Sequence, residues 1–188
     1  MSGGWRRVVA IAVPVVALVG IGAWLWVGLN PTVTEGPFAG PGPGVVVVPR
    51  ADGRDGTWAM TGTSATIVQS LTNDSRVPIT VEAGDDVADL SLAVSFQPQW
   101  GGAQGIGTLG TPTVASVTVE PGYAVGVVIT VTAPPCDQRS TDGSEVLDSI
   151  ELRVRSLGLP STQRLVFDDQ ATLTVLGRPG CRATTPER

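Results

Sequence analysis

The chain divides into one long apolar run near its start and a series of short alternating segments after it. Residues 8–29 read VVAIAVPVVALVGIGAWLWVGL, which is 22 residues without a charge. A helix rises about 1.5 Å per residue, so this run spans roughly 33 Å and matches a hydrocarbon core of ~30 Å. The pattern predicts a transmembrane helix over 8–29.

Residues at the two ends of the apolar run indicate its orientation. Arg6 and Arg7 precede it, and the positive-inside rule then keeps residues 1–7 in the cytoplasm. Trp24 and Trp26 lie near the other end, where amphipathic rings favour the lipid–water interface. We therefore expect a single-pass signal anchor in the cell membrane, with the C-terminal part extracytoplasmic.

A cleaved secretory signal peptide is the alternative interpretation of the same run. Gly20 and Gly22 provide small residues at the two positions that a signal peptidase inspects. The letters WLWVGL extend the apolar run past that point, which favours an uncleaved anchor. Both interpretations place the rest of the chain on the exported side.

Residues 30–44, NPTVTEGPFAGPGPG, are rich in Pro and Gly. These residues disfavour regular secondary structure and produce a moderately stiff, extended chain. The sequence predicts a linker here that holds the following domain a short way off the membrane.

Residues 45–182 are expected to form one domain, followed by a tail over 183–188. Alternating apolar residues with frequent turn signals predict half-buried strands and an all-β antiparallel sandwich. The Gly-rich segment 97–112 predicts a long loop, and 56–62 is expected to add an edge strand. The predicted strands are 45–48, 63–71, 77–83, 89–96, 113–119, 123–132, 149–157, 164–169 and 171–177.

Four stretches within residues 60–176 carry a resemblance: SLTNDSRVPITVEA, VEPGYAVGVVITVT, PPC and SIELRVRSLG. This combination resembles the membrane-anchored, immunoglobulin-like exported domains of bacterial envelope proteins. The resemblance implies an immunoglobulin-like β-sandwich and carries over no catalytic residue. The cysteines do not show the immunoglobulin spacing around a core Trp.

Composition removes most enzymatic chemistry. The chain contains no His and no Lys, which excludes Ser-His-Asp and Cys-His arrangements, Ser–Lys dyads and Schiff bases. No Gly-rich phosphate loop opens a helix, so nucleotide binding has no support. Beyond the apolar run, 17 acidic residues face 10 Arg, and a net charge of about −7 disfavours nucleic acid.

These exclusions favour a non-catalytic function. We expect a binding or scaffolding module of the cell envelope that uses no cofactor and contacts another envelope protein or a wall polymer. A carboxylate-dependent envelope hydrolase is the alternative from another class, with Glu151, Asp168 and Asp169 as candidates by residue type alone.

A cluster of acids over 85–89 offers a further alternative. Asp85, Asp86 and Asp89 carry oxygen ligands of the kind that calcium binds, and they would make this a calcium-stabilised domain. The competing interpretation is a solvated turn between two strands.

Three aromatic residues are candidates for contact or core positions. Trp100, in the Gly-rich segment, is a candidate partner contact, with packing beneath its own loop as the alternative. Trp58 is expected in the core. Tyr123, which follows a Pro-Gly turn, is expected to be a core residue at a strand end.

Cys136 and Cys181 are the two cysteines of the chain. Both are on the expected exported side, where disulfides form and persist, and neither has a His or Lys neighbour that would activate it. We predict a disulfide between them. It would close a loop of about 46 residues and contribute ~4 kcal/mol in the chain-entropy account.

Overall fold

The computed structural model describes residues 3–49, 57–84, 91–100, 112–132, 145–167 and 173–175. Side-chain environments are described from Val13 onward, except at 98–100, 145 and 175. Within these residues, one helix is followed by twelve strands: α1 (Gly3–Leu29), β1 (Val33–Pro41), β2 (Val45–Val48), β3 (Thr57–Met60), β4 (Ser64–Asn73), β5 (Ile79–Ala83), β6 (Ser91–Trp100), β7 (Ser116–Val119), β8 (Ala124–Thr132), β9 (Glu145–Leu147), β10 (Ser149–Ser156), β11 (Leu159–Val166) and β12 (Leu173–Val175).

The strands form three four-stranded sheets around a shared apolar core. Their orders are β1-β4-β8-β6 in the first sheet, β2-β3-β12-β9 in the second and β11-β10-β5-β7 in the third. All described pairs are antiparallel except β3 with β12. The prediction of a mostly antiparallel β fold is confirmed.

The centre of the first sheet is the pair β4 and β8, which runs in register over nine residues of each strand. Alternation along β8 directs Val125, Val127, Ile129 and Val131 into the core, where they are 3% exposed or less. Ile67 lies opposite Ile129, and β-branched pairs of this kind stabilise a sheet through their side chains. These two strands confirm the strand predictions 63–71 and 123–132.

The first sheet also contains a strand where the sequence predicts a spacer. β1 pairs with β4 on the edge of the sheet, with an irregularity between Glu35 and Ala39. The intervening residues bulge opposite Ser70, whose buried hydroxyl accepts a hydrogen bond from the Phe38 amide (2.9 Å) and donates one to the Phe38 carbonyl (2.8 Å). The linker prediction is wrong over 33–41, because an edge strand with a bulge tolerates both Pro and Gly.

The third sheet shows the most regular alternation. Along β10, the inward residues Ile150, Leu152 and Val154 are 1% exposed or less, whereas Arg153 and Arg155 lie on the outer face. β11 pairs with β10 through Ser156 and Leu159, and thus begins five residues before the predicted start at 164. The hairpin explains the difference: pairing with β10 organises LPSTQ, which has no apolar alternation of its own.

The second sheet holds β3 in its interior, between β2 and β12. Trp58, Ala59 and Met60 are buried, which confirms the core prediction for Trp58. The prediction of an edge strand over 56–62 is wrong because the edge is taken by β2, whose Val46, Val47 and Val48 are 42–51% exposed.

The helix α1 precedes the β domain and packs on it at its C-terminal end. Its side chains are exposed from Val13 to Trp26, Val27 is half-buried, and Gly28 is buried. Within the residues that the structure describes, no helix is both long enough and apolar enough to cross a membrane.

Candidate functional site

The outer face of the third sheet contains a groove of 260 Å³. It forms where Arg153 lies between Glu82 of β5 and Thr162 of β11, and where Arg155 lies opposite Pro160. The alternation of β10 aims both guanidinium-bearing residues at the same face, because residues two apart in a strand share a side. The lining is Glu82, Arg153, Val154, Arg155, Pro160, Ser161 and Thr162.

The arginines on this face differ in their contacts. Arg164, which lies outside the groove, donates hydrogen bonds to the Ser149 hydroxyl from Nε (2.9 Å) and Nη2 (2.7 Å). Its Nη2 also forms an ion pair with Asp148 Oδ1 at 3.6 Å. The Arg155 guanidinium has no hydrogen bond or ion pair within the described residues. An unpaired guanidinium on an exposed strand face suits a carboxylate or phosphate group, which it can bind through two parallel hydrogen bonds.

A second feature is the end of the β domain at which α1 joins it, here called the proximal pole. Three turns meet there: β4–β5 (residues 74–78), β7–β8 (residues 120–123) and β10–β11 (residues 157–158). Asn73, fully buried, donates from Nδ2 to the carbonyls of Val77 and Val119, both at 2.9 Å. Its backbone amide bonds the Tyr123 carbonyl at 3.0 Å. One buried amide side chain thus fixes two of the three turns.

The junction between α1 and the proximal pole is close and direct. The Cα of Gly28 approaches the β10–β11 hairpin so closely that a Cβ there would lie 2.7 Å from Leu159 Cδ1 and 3.3 Å from the Ser156 carbonyl oxygen. After the helix, Thr32 accepts a bond from the Asp74 amide (3.0 Å) and donates its own amide to Ser75 Oγ (2.9 Å). Only residues 29–31 therefore lie between Gly28, which packs on the β10–β11 hairpin, and Thr32, which is hydrogen-bonded to the β4–β5 turn.

Most of the residues proposed from the sequence as sites lie outside the described part of the chain. This holds for Cys136 and Cys181, for Asp85, Asp86 and Asp89, and for Asp168 and Asp169. The disulfide and the calcium site therefore stay predictions. Over the residues that are described, no group of three or more His, Cys, Asp or Glu could hold a metal ion.

Trp100, Glu151 and Tyr123 are described. Trp100 ends β6, opposite Ala124 of β8, which places it at the proximal pole and makes 97–100 strand where the sequence predicts loop. Glu151 is exposed on the outer face of β10, away from the core. Tyr123 is 57% exposed, so its prediction as a core residue is wrong. It lies in the turn before β8, where the alternation that buries Val125 and Val127 has not begun.

Sequence reasoning missed the junction at the proximal pole. The Asn73-Asp74-Ser75 cluster was readable as a turn, but its hydrogen bonds to Thr32 and Thr34 connect residues about 40 positions apart. The Leu157-Gly158 pair carried a usable signal, since two residues between alternating segments predict a tight hairpin.

Comparison with known proteins gives little beyond this. No family model matches the chain, and no curated protein matches it. Nine chains of solved structures match. One is a FixG-related protein from Vibrio parahaemolyticus, 12% identical, with 74% of this chain and 95% of that chain covered and a TM-score of 0.26. At that TM-score the similarity supports no argument about function.

Proposed function

We propose that the chain is a single-pass, membrane-anchored, extracytoplasmic module of the bacterial cell envelope that binds or scaffolds other envelope components. The observation that carries the anchor is the exposure of α1. At 100° per residue its exposed apolar side chains occupy every side of the helix, and a helix that is apolar all round belongs in an apolar environment. They are Val13, Val15, Val16, Leu18, Val19, Ile21, Trp24, Leu25, Trp26 and Leu29.

In this proposal the membrane span is the whole uncharged run 8–29 of the sequence, which is longer than the part of α1 with described side chains (13–29), and Arg6 and Arg7 lie on the cytoplasmic side. The β domain then lies outside the cytoplasm as an immunoglobulin-like sandwich. Two features support the sandwich. The first and third sheets contribute to one apolar core, and reciprocal backbone bonds of 2.8 Å link Phe96 of β6 to Val114, just before β7.

The binding surface in this proposal is the groove on the third sheet. The Arg155 guanidinium supplies an unpaired cation, and Thr162, which lies opposite Arg153 on the same outer face, adds a hydroxyl group. A partner offering a carboxylate or phosphate, from a protein or a wall polymer, would pair with Arg155. Catalysis is not part of the proposal, and a purified chain that hydrolyses envelope polymers would contradict it.

The anchor is tested by extracting membranes with alkaline carbonate. We expect the full chain to stay in the membrane pellet and the double variant Val16→Arg, Val19→Arg to be released, because each Arg near the centre of a span costs about 3 kcal/mol on insertion. Val16→Leu, Val19→Leu is the matched control and should stay in the pellet. Release of the wild-type chain would overturn the anchor.

The binding surface is tested by capture of partners from detergent-solubilised membranes. Arg155→Glu reverses the unpaired charge and should abolish co-purification of the specific partner. Arg76→Glu makes the same charge change at an exposed position in the β4–β5 turn, outside the groove, and should leave capture intact. Equal capture by both variants would remove the groove from the proposal.

The extracytoplasmic location also predicts the state of the cysteines. Thiol titration of denatured, unreduced protein taken from its native membrane should find no free thiol if Cys136 and Cys181 are bridged. Reduction should then lower the free energy of unfolding by up to ~4 kcal/mol. Two free thiols would contradict the disulfide, and the cysteines would then give no support to an extracytoplasmic location.

A further inference from the structure

The proximal pole is where several strands of the first and third sheets begin or end. In the third sheet, Ser156 pairs with both Ile79 and Leu159, and Ile79 also pairs with Val119. In the first sheet, Asn73 of β4 lies opposite Val33, the first residue of β1. The turns of both sheets therefore lie on one surface, and α1 leaves the domain from that surface.

No spacer separates this surface from the helix. Gly28 is buried against the β10–β11 hairpin, while Trp26, two residues earlier, is 72% exposed. Two residues correspond to about 3 Å along a helix axis. The solvent or lipid that surrounds Trp26 therefore begins within one helical turn of the β domain.

The proximal pole exposes two large apolar or amphipathic side chains to that medium. Tyr123, the last residue of the β7–β8 turn, is 57% exposed, and Leu157, at the tip of the β10–β11 hairpin, is 39% exposed. Both lie in turns, which in water usually carry small polar residues. Neither belongs to the apolar core.

Leu157 also has an unfavourable backbone conformation. Its φ is 50° and that of Gly158 is 81°, as the two-residue hairpin turn with positive φ at both positions requires. Asn, Asp or Gly normally fills the first position, and a residue with a Cβ and no local hydrogen bond costs about 1–2 kcal/mol there. Leu157 lies outside the apolar core and keeps 39% of its surface exposed in spite of this strain, and the two observations together suggest a contact outside the chain.

The charges at the proximal pole indicate the kind of contact. Its exposed described charges are Asp74 and Glu120, which are acidic, and Arg76, which is basic. A surface with this balance has no attraction for anionic lipid headgroups, which recruit clusters of Lys and Arg. Its contact is therefore apolar, and Tyr and Leu suit the lipid–water interface.

We propose that the proximal pole rests on the outer surface of the bilayer, with Leu157 and Tyr123 inserted at the level of the headgroups. This inference depends on the membrane span proposed for α1. The contact holds the β domain flush against the membrane and fixes its tilt, so that the groove on the third sheet stands at a defined angle to the bilayer.

The test uses the full chain reconstituted in phosphatidylcholine vesicles, with a photo-crosslinking residue, benzoylphenylalanine, introduced at one position at a time. Leu157→benzoylphenylalanine and Tyr123→benzoylphenylalanine should give lipid adducts, detected as a mass shift. Val166, 59% exposed at the other end of β11, is the matched control and should give none. Leu18, 69% exposed on α1, reports on the span and should give adducts.

The outcomes separate the two proposals. Adducts at Leu18 but none at Leu157 and Tyr123 would overturn the contact of the proximal pole and leave the anchor standing. Loss of adducts at Leu18 would overturn the anchor and the contact together. Adducts at Val166 as abundant as those at Leu157 would show unspecific capture, and adducts that need added phosphatidylglycerol would show an electrostatic contact. Both of these results contradict the inference.

Discussion

β10 and β1 are strands of similar length, eight and nine residues, and their sequences relate to their structures in opposite ways. In β10 nearly every second side chain is buried, and the letters SIELRVRS show this alternation directly. In β1 no such period exists, and VTEGPFAGP contains two Pro and two Gly. β10 forms where its own pattern places it, whereas β1 forms because β4 offers a partner.

The difference lies in what holds each strand. Leu152, at the centre of β10, is fully buried in the core that the first and third sheets share. β1 is held at its bulge by a polar group, the hydroxyl of Ser70, and by a hydrogen bond from Gln69 Nε2 to Glu35 Oε1. Apolar burial stabilises one strand, and specific hydrogen bonds position the other.

The largest expected effect comes from the core side of β10. Leu152→Ala should lower the free energy of unfolding by about 3 kcal/mol, because it removes buried methyl groups and leaves a cavity. The measurement is urea unfolding of the full chain in detergent, followed by tryptophan fluorescence. Glu151→Ala, one residue away on the outer face, is the control and should change the free energy by less than ~0.5 kcal/mol. Equal losses of stability in the two variants would mean that burial of alternate side chains is not what stabilises β10.

A smaller effect is expected where β1 is held. Ser70→Ala removes the hydroxyl that bonds both backbone groups of Phe38 and should cost about 2 kcal/mol, the penalty for leaving buried polar groups unpaired. Ser64→Ala, at the exposed start of the same strand, is the control. Hydrogen exchange should show faster exchange of β1 amides in Ser70→Ala, while β10 amides keep their protection. Uniform loss of protection in both strands would show that β1 and β10 are held in the same way.

The smallest effect is expected at the end of β10, where its regular pattern stops. Leu157→Asn should raise the free energy of unfolding by about 1 kcal/mol, because Asn accepts positive φ more readily than Leu. Val166→Thr, an exposed substitution on extended backbone, should change it by less than ~0.5 kcal/mol. A decrease in stability in Leu157→Asn, measured in detergent, would show that Leu157 supports the fold rather than a contact outside it.

The strands that could be predicted from the sequence are those with one face buried against the apolar core. β2, β4, β5, β6, β7, β8 and β10 all follow an alternating or continuous apolar pattern, and the predicted boundaries agree with the structure within a few residues. β9 is absent from the predicted strands, because its three residues are too few to show a period. The first half of β11 was missed for a related reason, since its pairing with β10 depends on the hairpin.

Alternation and the long apolar run are local properties, and for that reason the sequence alone determined the β class, most of the strands and the apolar helix. The tertiary structure decided how these elements combine: the pairing of β1 with β4, the interior place of β3, and the convergence of Gly28, Tyr123 and Leu157 on one pole. Such pairings join residues tens of positions apart, through backbone groups that every sequence carries. Which strands pair therefore depends on the packing of the whole chain and cannot be predicted from a short segment of the sequence.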